Sequence, residues 1–524
     1  MTAIPIDISF APGVSRDSTL FDTQTALDVL WCRFRNGRPR KMGGYQRITD
    51  NLSGVPRRIH IFYQGSQAII HIGTTAGLQQ VVIDYNGNFI SSADRTPVSG
   101  FTPSANIGWT LDSIFDTNTG VVNLIAHATA DSNAPYNLTQ TVPFIGQITL
   151  TTVLVKFSDP GSYGGGAWTQ PDVAGGIVCV QPYVFDYDAA GLVGWSAPNI
   201  PLYLGITGGS SGAGQARISS QKIMAGAPLR GGGVQQPSVL FWSLSEVITG
   251  TFVGSNAGYF AFSTISNSSS IISTKANIEY DGLHYWCGID RFLVYNGTAQ
   301  EVANPHNQDW FFNNLNWTYA GKVQAFKVPR YGEIWWLAPL FGATECSHAI
   351  IYNVREGTWY DTELPDGGRS CGAFAQGLRY PIMGGTAQNA NGYKLWLHES
   401  GTDEVDGNVT NPVRSYFETP YMGGPRQQQP NDKGLSYQQL EPDFIQTGDM
   451  TVSIVGTANA RSPVSNGTAV PLKAVPGVPQ EQLVSFKEGH RLGSLHIESN
   501  VLGGSYICGK NLLHVEPAEA RIVS

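Results

Sequence analysis

Residues 349–359 read Ala-Ile-Ile-Tyr-Asn-Val-Arg-Glu-Gly-Thr-Trp, an apolar run that ends in an aromatic residue and is followed by a polar turn with glycine and a second strand. Turns of this composition accommodate a positive φ, so the stretch predicts a β-hairpin. The same arrangement occurs at residues 84–87, 185–195, 294–297 and 396–401. One hairpin unit therefore recurs along most of the chain.

The spacing of these units indicates the architecture. Measured between the residues that precede each turn, the last two steps are 57 and 45 residues (Tyr295 to Tyr352 to Leu397), close to the ~40–50 residues of one propeller blade. The two earlier steps are 102 and 108 residues, about twice that length. Residues 51–405 are therefore expected to form an irregular β-propeller with insertions and roughly five to seven blades. A large sandwich or several small β domains are the alternatives.

Composition also favours an all-β fold of several cores. Of the 524 residues 41% are hydrophobic and only 14% are charged, which excludes a disordered chain and a coiled coil. The strongest strand patterns are short and rich in β-branched and aromatic residues: 58–63, 68–72, 80–85, 153–157, 284–287, 292–295, 333–337 and 349–352. The best helical candidate, residues 23–34, is short. The six cysteines form no close pair, so no disulfide framework is needed.

Two terminal regions differ from the repeating centre. Residues 1–50 are too polar for a core and are expected to form an extended N-terminal arm that docks on something else. Residues 423–435 are rich in Gly, Pro, Gln and Asn, as a linker would be. Alternating strand patterns follow that linker, so residues 406–524 are predicted to form a C-terminal β-sandwich.

The sequence offers no convincing catalytic, metal or cofactor site, and none is assigned. Gly208-Gly-Ser-Ser-Gly212 matches the sequence pattern of a nucleophile elbow, but it lacks the preceding strand and the following helix that such an elbow needs. The ten histidines are scattered without metal-ligand spacing. Glu279, Asp281 and Asp290 cluster around one hairpin, and propellers host glycosidases that use two carboxylates. Sequence separation alone does not show whether these three converge.

One basic run stands out near the N-terminus. Arg33-Phe-Arg-Asn-Gly-Arg-Pro-Arg-Lys41 contains five basic residues, Arg33, Arg35, Arg38, Arg40 and Lys41. Residues 1–58 contain nine Lys/Arg and five Asp, which gives this end a net charge of +4. Because the net charge of the whole chain is −8, the remaining residues have a net charge of −12. The five basic residues are candidates for an interface with an acidic protein partner or with phosphates, and a solvated basic loop is the alternative.

Several phrases resemble those of the tail nozzle proteins of short-tailed bacteriophages, also called tail tubular protein B. At the N-terminus these are Ser9-Phe-Ala-Pro-Gly-Val-Ser-Arg-Asp17, Trp31-Cys-Arg-Phe-Arg-Asn-Gly37 and Lys41-Met-Gly-Gly-Tyr45. Similar phrases in the centre include Pro182-Tyr-Val-Phe-Asp-Tyr187 and Tyr285-Trp-Cys-Gly-Ile-Asp-Arg-Phe292. The resemblance extends over most of the chain, including Glu441-Pro-Asp-Phe-Ile-Gln-Thr-Gly-Asp449.

The resemblance implies a virion structural protein of a podovirus, with a β-propeller joined to a β-sandwich-like platform built partly from the chain ends. Six copies would form a homohexameric ring below the adaptor, the head-to-tail connector. Tail fibres or spikes would dock outside, and genomic DNA would pass non-specifically through the lumen at ejection. No catalytic residues belong to this family. A propeller tail protein that binds or hydrolyses host surface glycan is the alternative function.

The start of the sequence lacks a basic region followed by an apolar stretch, and no run approaches the ~18 apolar residues of a membrane helix. We therefore expect no membrane span and synthesis in a cytoplasm. The resemblance implies that this is the cytoplasm of the bacterial host and that the final location is the virion tail.

Overall fold

The computed structural model describes residues 3–99, 101–129, 143–157, 175–201, 212–229, 236–255, 258–423 and 434–517. Within these ranges the chain is almost entirely β-structure and forms ten sheets. Seven of the sheets make a propeller and three make a platform. The all-β propeller with a platform from the chain ends is therefore confirmed.

The N-terminal segment is extended. Its strands are β1 (Ile4–Ile8), β2 (Asp28–Leu30), β3 (Cys32–Arg35), β4 (Arg38–Lys41) and β5 (Tyr45–Leu52). The helical candidate at residues 23–34 is thus wrong. A positive φ of 49° at Trp31 interrupts this segment, and Val29 and Phe34 are buried in a core shared with the propeller.

Six four-stranded antiparallel meanders follow, here called blades 1–6. Blade 1 has β6 (Pro56–Gln64), β7 (Gln67–Thr74), β8 (Leu78–Asp84) and β9 (Phe89–Asp94); blade 2 has β10 (Gly108–Asp116), β11 (Val121–Thr129), β12 (Phe144–Gln147) and β13 (Val155–Lys156). Blade 3 has β14 (Gly176–Val180), β15 (Tyr183–Tyr187), β16 (Leu192–Trp195) and β17 (Gly214–Arg217); blade 4 has β18 (Ile223–Pro228), β19 (Ser238–Ser243), β20 (Val247–Ser255) and β21 (Gly258–Ser266).

Blade 5 has β22 (Asn277–Tyr280), β23 (Leu283–Cys287), β24 (Phe292–Tyr295) and β25 (Ala299–Glu301). Blade 6 has β26 (Gln324–Val328), β27 (Glu333–Ala338), β28 (His348–Asn353) and β29 (Thr358–Glu363). A short helix α1 (Gln308–Asn314) and a 3₁₀ helix (Trp317–Lys322) connect these two blades. The strands predicted from short aromatic and β-branched runs all fall within observed strands or overlap them.

Blade 7 combines both halves of the sequence. It contains β30 (Arg369–Ala373), β31 (Ile382–Gln388) and β32 (Tyr393–His398), and β5 pairs antiparallel with β32 as the fourth strand. Two further strands, β33 (Asp403–Asp406) and β34 (Val409–Pro412), extend this sheet. The propeller therefore begins at β5 and extends to Pro412, where the sequence had suggested limits at residues 51 and 405.

The blades form a closed ring. The first strands of neighbouring blades pack together in chain order except between blades 4 and 5, which contact each other through the Trp242 and Trp286 rings. The first strand of blade 7, β30, packs against β6 of blade 1. Buried tryptophans link neighbouring blades because the indole N–H donates to a backbone carbonyl across the boundary. Trp109 of blade 2 donates to Thr74 of blade 1 at 2.9 Å, and Trp336 of blade 6 donates to Ala276, just before blade 5, at 2.9 Å.

The C-terminal region supplies the remaining strands. They are β35 (Ser415–Glu418), β36 (Leu435–Glu441), β37 (Phe444–Thr447), β38 (Met450–Thr457), β39 (Ser465–Asn466), β40 (Val470–Leu472), β41 (Val484–His490), β42 (Leu492–Ser499), β43 (Ser505–Cys508) and β44 (Asn511–Pro517), with a 3₁₀ helix at Pro479–Gln482. Three sheets result, in the orders β1-β44-β36-β41, β2-β35-β42-β38-β39 with β40 beside β38, and β3-β4-β43-β37. Each contains strands from both chain ends, so the N-terminal arm is an integral part of the platform.

The platform and the propeller share one hydrophobic core. Ile454 and Leu495 of the platform belong to the same buried cluster as Trp335 of blade 6 and Trp396 of blade 7. Burial of apolar area on this scale fixes the two modules relative to each other.

Candidate functional site

The basic run at residues 33–41 forms the hairpin β3–β4. Asn36 and Gly37 occupy its turn with φ of 53° and 72°, as a two-residue hairpin loop with two positive φ values requires. The carboxylate of Glu356, in the β28–β29 turn of blade 6, accepts hydrogen bonds from the Asn36 N–H at 2.7 Å and the Gly37 N–H at 3.4 Å. The hairpin tip is therefore anchored to the propeller.

Arg33 is not available to a partner, which corrects its place in the predicted interface. Its side chain is 1% exposed and donates to Glu333 of blade 6 (Nε to Oε1, 2.7 Å) and to Glu399 after blade 7 (Nη1 to Oε2, 2.8 Å). The guanidinium also lies 3.6 Å from the centre of the Tyr331 ring. Arg33 thus joins three parts of the fold from inside.

The two glutamates of this cluster receive further donors. The Tyr360 hydroxyl donates to Glu333 at 2.7 Å, and burial, assisted by that carboxylate, raises the pKa of Tyr360 well above its ordinary value. The Gly43 N–H donates to Glu399 at 3.1 Å. A buried ion cluster with its lone pairs satisfied is a structural element of the fold.

Lys41 is also buried, being 4% exposed, so it too is removed from the predicted surface. Its ammonium has no hydrogen-bond partner among the described residues. Burial lowers the pKa of Lys41 to about 8, and the charge of Asp403 opposes that shift only in part. Lys41 lines a groove between platform and propeller.

This groove has a volume of about 300 Å³ and carries several basic side chains. Arg40, Arg330 and Arg379 line it together with Lys41, and within the described ranges none of the three arginines makes an ion pair. Two tyrosines support them: Arg330 lies 5.4 Å from the Tyr331 ring centre, and Arg379 lies 5.1 Å from the Tyr380 ring centre. We call the three arginines Arg40, Arg330 and Arg379, with exposed Arg35 and Arg38 at the hairpin tip, the basic groove.

The basic groove is suited to bind an anionic surface. Uncompensated arginines beside aromatic rings combine charge with a planar, weakly hydrated donor group that suits carboxylates. Sequence reasoning found Arg35, Arg38 and Arg40 but missed Arg330 and Arg379. The signal available for those two is the Arg-Tyr dipeptide that occurs at residues 330–331 and again at 379–380.

The carboxylates considered for glycan hydrolysis are separated. Asp281 lies in the β22–β23 turn and Asp290 in the β23–β24 turn, at opposite ends of β23. Glu279 accepts from Lys327 at 2.9 Å. Asp281 and Asp290 therefore do not flank a common point, because the five-residue strand between them extends about 17 Å.

Other chemistry-bearing groups give no assembled site in the described ranges. No group of three or more His, Cys, Asp or Glu side chains there is arranged to hold a metal ion. All six cysteines are free and buried. The sequence at residues 208–212 that matches a nucleophile elbow lies outside the described residues, except for Gly212. No helix in the described part of the chain has the length and apolar character to span a membrane.

Comparisons with known proteins give structural likeness only. No protein-family model matches the chain, and no curated protein matches it. Among solved structures, the computationally designed Ika8 protein is 11% identical, with a TM-score of 0.36 over 67% of this chain and 99% of that one. BBS1N, solved in complex with ARL6DN and soaked with lead, is 9% identical, with a TM-score of 0.39 over 68% of this chain and 97% of that one.

Proposed function

We propose that this protein is a structural component of a short-tailed bacteriophage tail, a nozzle subunit that extends the tail channel below the adaptor, retains packaged DNA and passes it at ejection. The observation that carries the proposal is the platform built from both chain ends, which presents the basic groove beside the propeller. A rigid module with an uncompensated cationic surface is suited to docking on an acidic protein. The family-like phrases at residues 9–17 and 31–37 lie in this module, and the phrase at residues 41–45 leads from it into β5 of blade 7.

The charge distribution supports a role as a conduit. Each cation that contacts a DNA phosphate adds affinity through counterion release, so a surface along which DNA slides should carry few of them. Only 14% of the residues are charged and the net charge is −8. We propose that six copies enclose a lumen of this weakly charged surface and that the basic groove binds the adaptor.

The propeller's own channel is not the DNA path in this proposal. Its larger cavity measures about 330 Å³, which is the scale of a small-molecule pocket. A double helix does not fit into it. DNA would instead pass between subunits, through the lumen of the ring.

Electron microscopy of the tail with antibody-labelled chain tests the proposal. A six-fold ring directly below the adaptor is the expected result. A three-fold spike at the tail periphery would contradict it and favour the glycan-directed alternative. Release of reducing sugar from host surface polysaccharide by the purified chain would then separate a hydrolase from a binding module.

A further inference from the structure

The central channel of the propeller holds a second cationic site. Two cavities of about 330 and 220 Å³ lie along the axis, and Arg58, His60 and Ile278 line both of them. The larger is bordered by first strands of blades 1–5 and the smaller by those of blades 5–7 and blade 1. Arg58, on β6, is therefore positioned at the junction of the two.

Arg58 is a cation without a direct partner. Within the described residues its guanidinium makes no hydrogen bond and no ion pair. Asp112 attracts Arg58 electrostatically without forming an ion pair with it, and the Asp112 carboxylate accepts the Cys179 and Ser113 N–H groups, both at 2.8 Å. Glu279, the other acid of the larger cavity, accepts from Lys327 at 2.9 Å. Both carboxylates are thus occupied by other donors.

A second cation lies in the same cavity. Lys275 is 7% exposed, and its ammonium donates to the Arg57 carbonyl oxygen at 3.0 Å, which leaves two of its three N–H groups. Lys275 also lines a separate cavity of about 20 Å³, together with Arg57 and Lys322. Glu345 pairs with both of those residues, so it does not neutralise Lys275 or Arg58.

Burial and the charge of Arg58 together shift the pKa values of neighbouring groups. Burial, and then the charge of Arg58, lower the pKa of His60 to about 4 and that of Lys275 to about 7. Tyr187 and His284 also line the larger cavity, and burial raises the pKa of Tyr187. Burial is the main cause of all three shifts, and the charge of Arg58 adds to the lowering at His60 and Lys275.

We infer that the channel binds a small anionic ligand through the guanidinium of Arg58, with the ammonium of Lys275 as the second cationic group. The ligand class is a compact molecule that carries a phosphate or carboxylate group, since these match the planar donor fork of arginine. A cavity of about 330 Å³ sets the size. This site is independent of the basic groove and of the proposed tail function.

Calorimetric titration of the full chain with inorganic phosphate and, separately, with citrate tests the site. We expect one binding site per chain for at least one of the two, weakened at least about tenfold in Arg58→Met, which loses a charge-assisted hydrogen bond. Arg461→Met removes an equal charge from an exposed position outside both the channel and the basic groove and should leave binding unchanged. Binding of phosphate alone, or of citrate alone, identifies the ligand group.

A thermal measurement separates loss of binding from loss of fold. Because Arg58 has no partner, Arg58→Met should unfold at the same temperature as the wild type or higher in anion-free buffer. Phosphate should raise the unfolding temperature of the wild type and of Arg461→Met but not of Arg58→Met. Equal shifts in all three would show general salt stabilisation and would overturn the inference, as would no binding of either probe up to about 10 mM.

Discussion

Arg33 and Glu333 form a buried ion pair, Nε to Oε1 at 2.7 Å, across 300 positions of sequence. The pair connects the β3–β4 hairpin of the platform to β27 of blade 6. Glu399 completes the cluster from the end of blade 7. The orientation of the platform on the propeller therefore depends on charge as well as on apolar packing.

Removing one member of this cluster should be costly. Arg33→Met leaves two buried carboxylates without their cation, and we expect a loss of about 3–5 kcal/mol of stability. Urea unfolding measured by tryptophan fluorescence checks this. Arg35→Met, two residues along and exposed, should change stability by no more than about 0.5 kcal/mol. Equal midpoints for the two variants would contradict the role given to Arg33.

Lys41 should give the protein a measurable pH dependence. Its pKa is lowered from 10.5 to about 8 in the folded chain, so the unfolded chain binds more protons between those values. Stability contributed by this group therefore rises with pH through that window and is lowest below about pH 8. Lys41→Met should unfold at a higher temperature than the wild type at pH 7, and the difference should shrink by pH 10. A difference that stays constant with pH would refute this.

The basic groove should be required for assembly but not for folding. Arg38→Glu with Arg40→Glu reverses two groove charges, so tails should lack the protein while the purified variant keeps its circular dichroism and unfolding temperature. Arg461→Glu changes an exposed platform charge elsewhere and serves as the control. Copy number in purified virions is the measurement. Normal incorporation of the double variant would rule out this interface.

Packing between blades 1 and 2 should be sensitive to one methyl group. A Cβ at Gly73 would lie 2.3 Å from Cγ of the Trp109 indole, which is fully buried. Gly73→Ala should therefore cost about 1–3 kcal/mol through forced displacement of that ring. At Gly65 a Cβ meets nothing within 4 Å, and its φ of 60° leaves only a backbone cost of about 1–2 kcal/mol. Thermal unfolding of both variants, with near-ultraviolet circular dichroism to detect displacement of Trp109, distinguishes the two mechanisms.

The sequence predicted a range of five to seven blades, and the structure has seven. Four of the five recurrent turns lie in blades 1, 3, 5 and 6, and the fifth lies in blade 7 between β32 and β33. The turn glycines all have a positive φ: Gly87, Gly191, Gly297, Gly357 and Gly401. The first two intervals between these turns, 102 and 108 residues, are about twice as long because they include blades 2 and 4, which lack the recurrent turn sequence. Local turn chemistry thus predicted the fold because every blade needs tight hairpins.

The site was less predictable, and Arg33 shows why. Arg33 and Arg35 are two residues apart on one strand, so local pattern gives them the same face. Arg33 can be buried only because it pairs with Glu333 and Glu399, which are distant from it in sequence. The strand that closes blade 7 was missed for a related reason: the pairing of β5 with β32 joins segments more than 300 residues apart.

The pairing of β1 with β44 determines how the molecule responds to tension. Ile4 lies opposite Val515 and Ile8 opposite Asn511, so the two strands run antiparallel and both ends leave the platform on the same side. Force applied between residues 4 and 515 opens that ladder one pair at a time. The propeller lies in the closed loop between these strands. It therefore carries no mechanical load until the platform has been pulled apart.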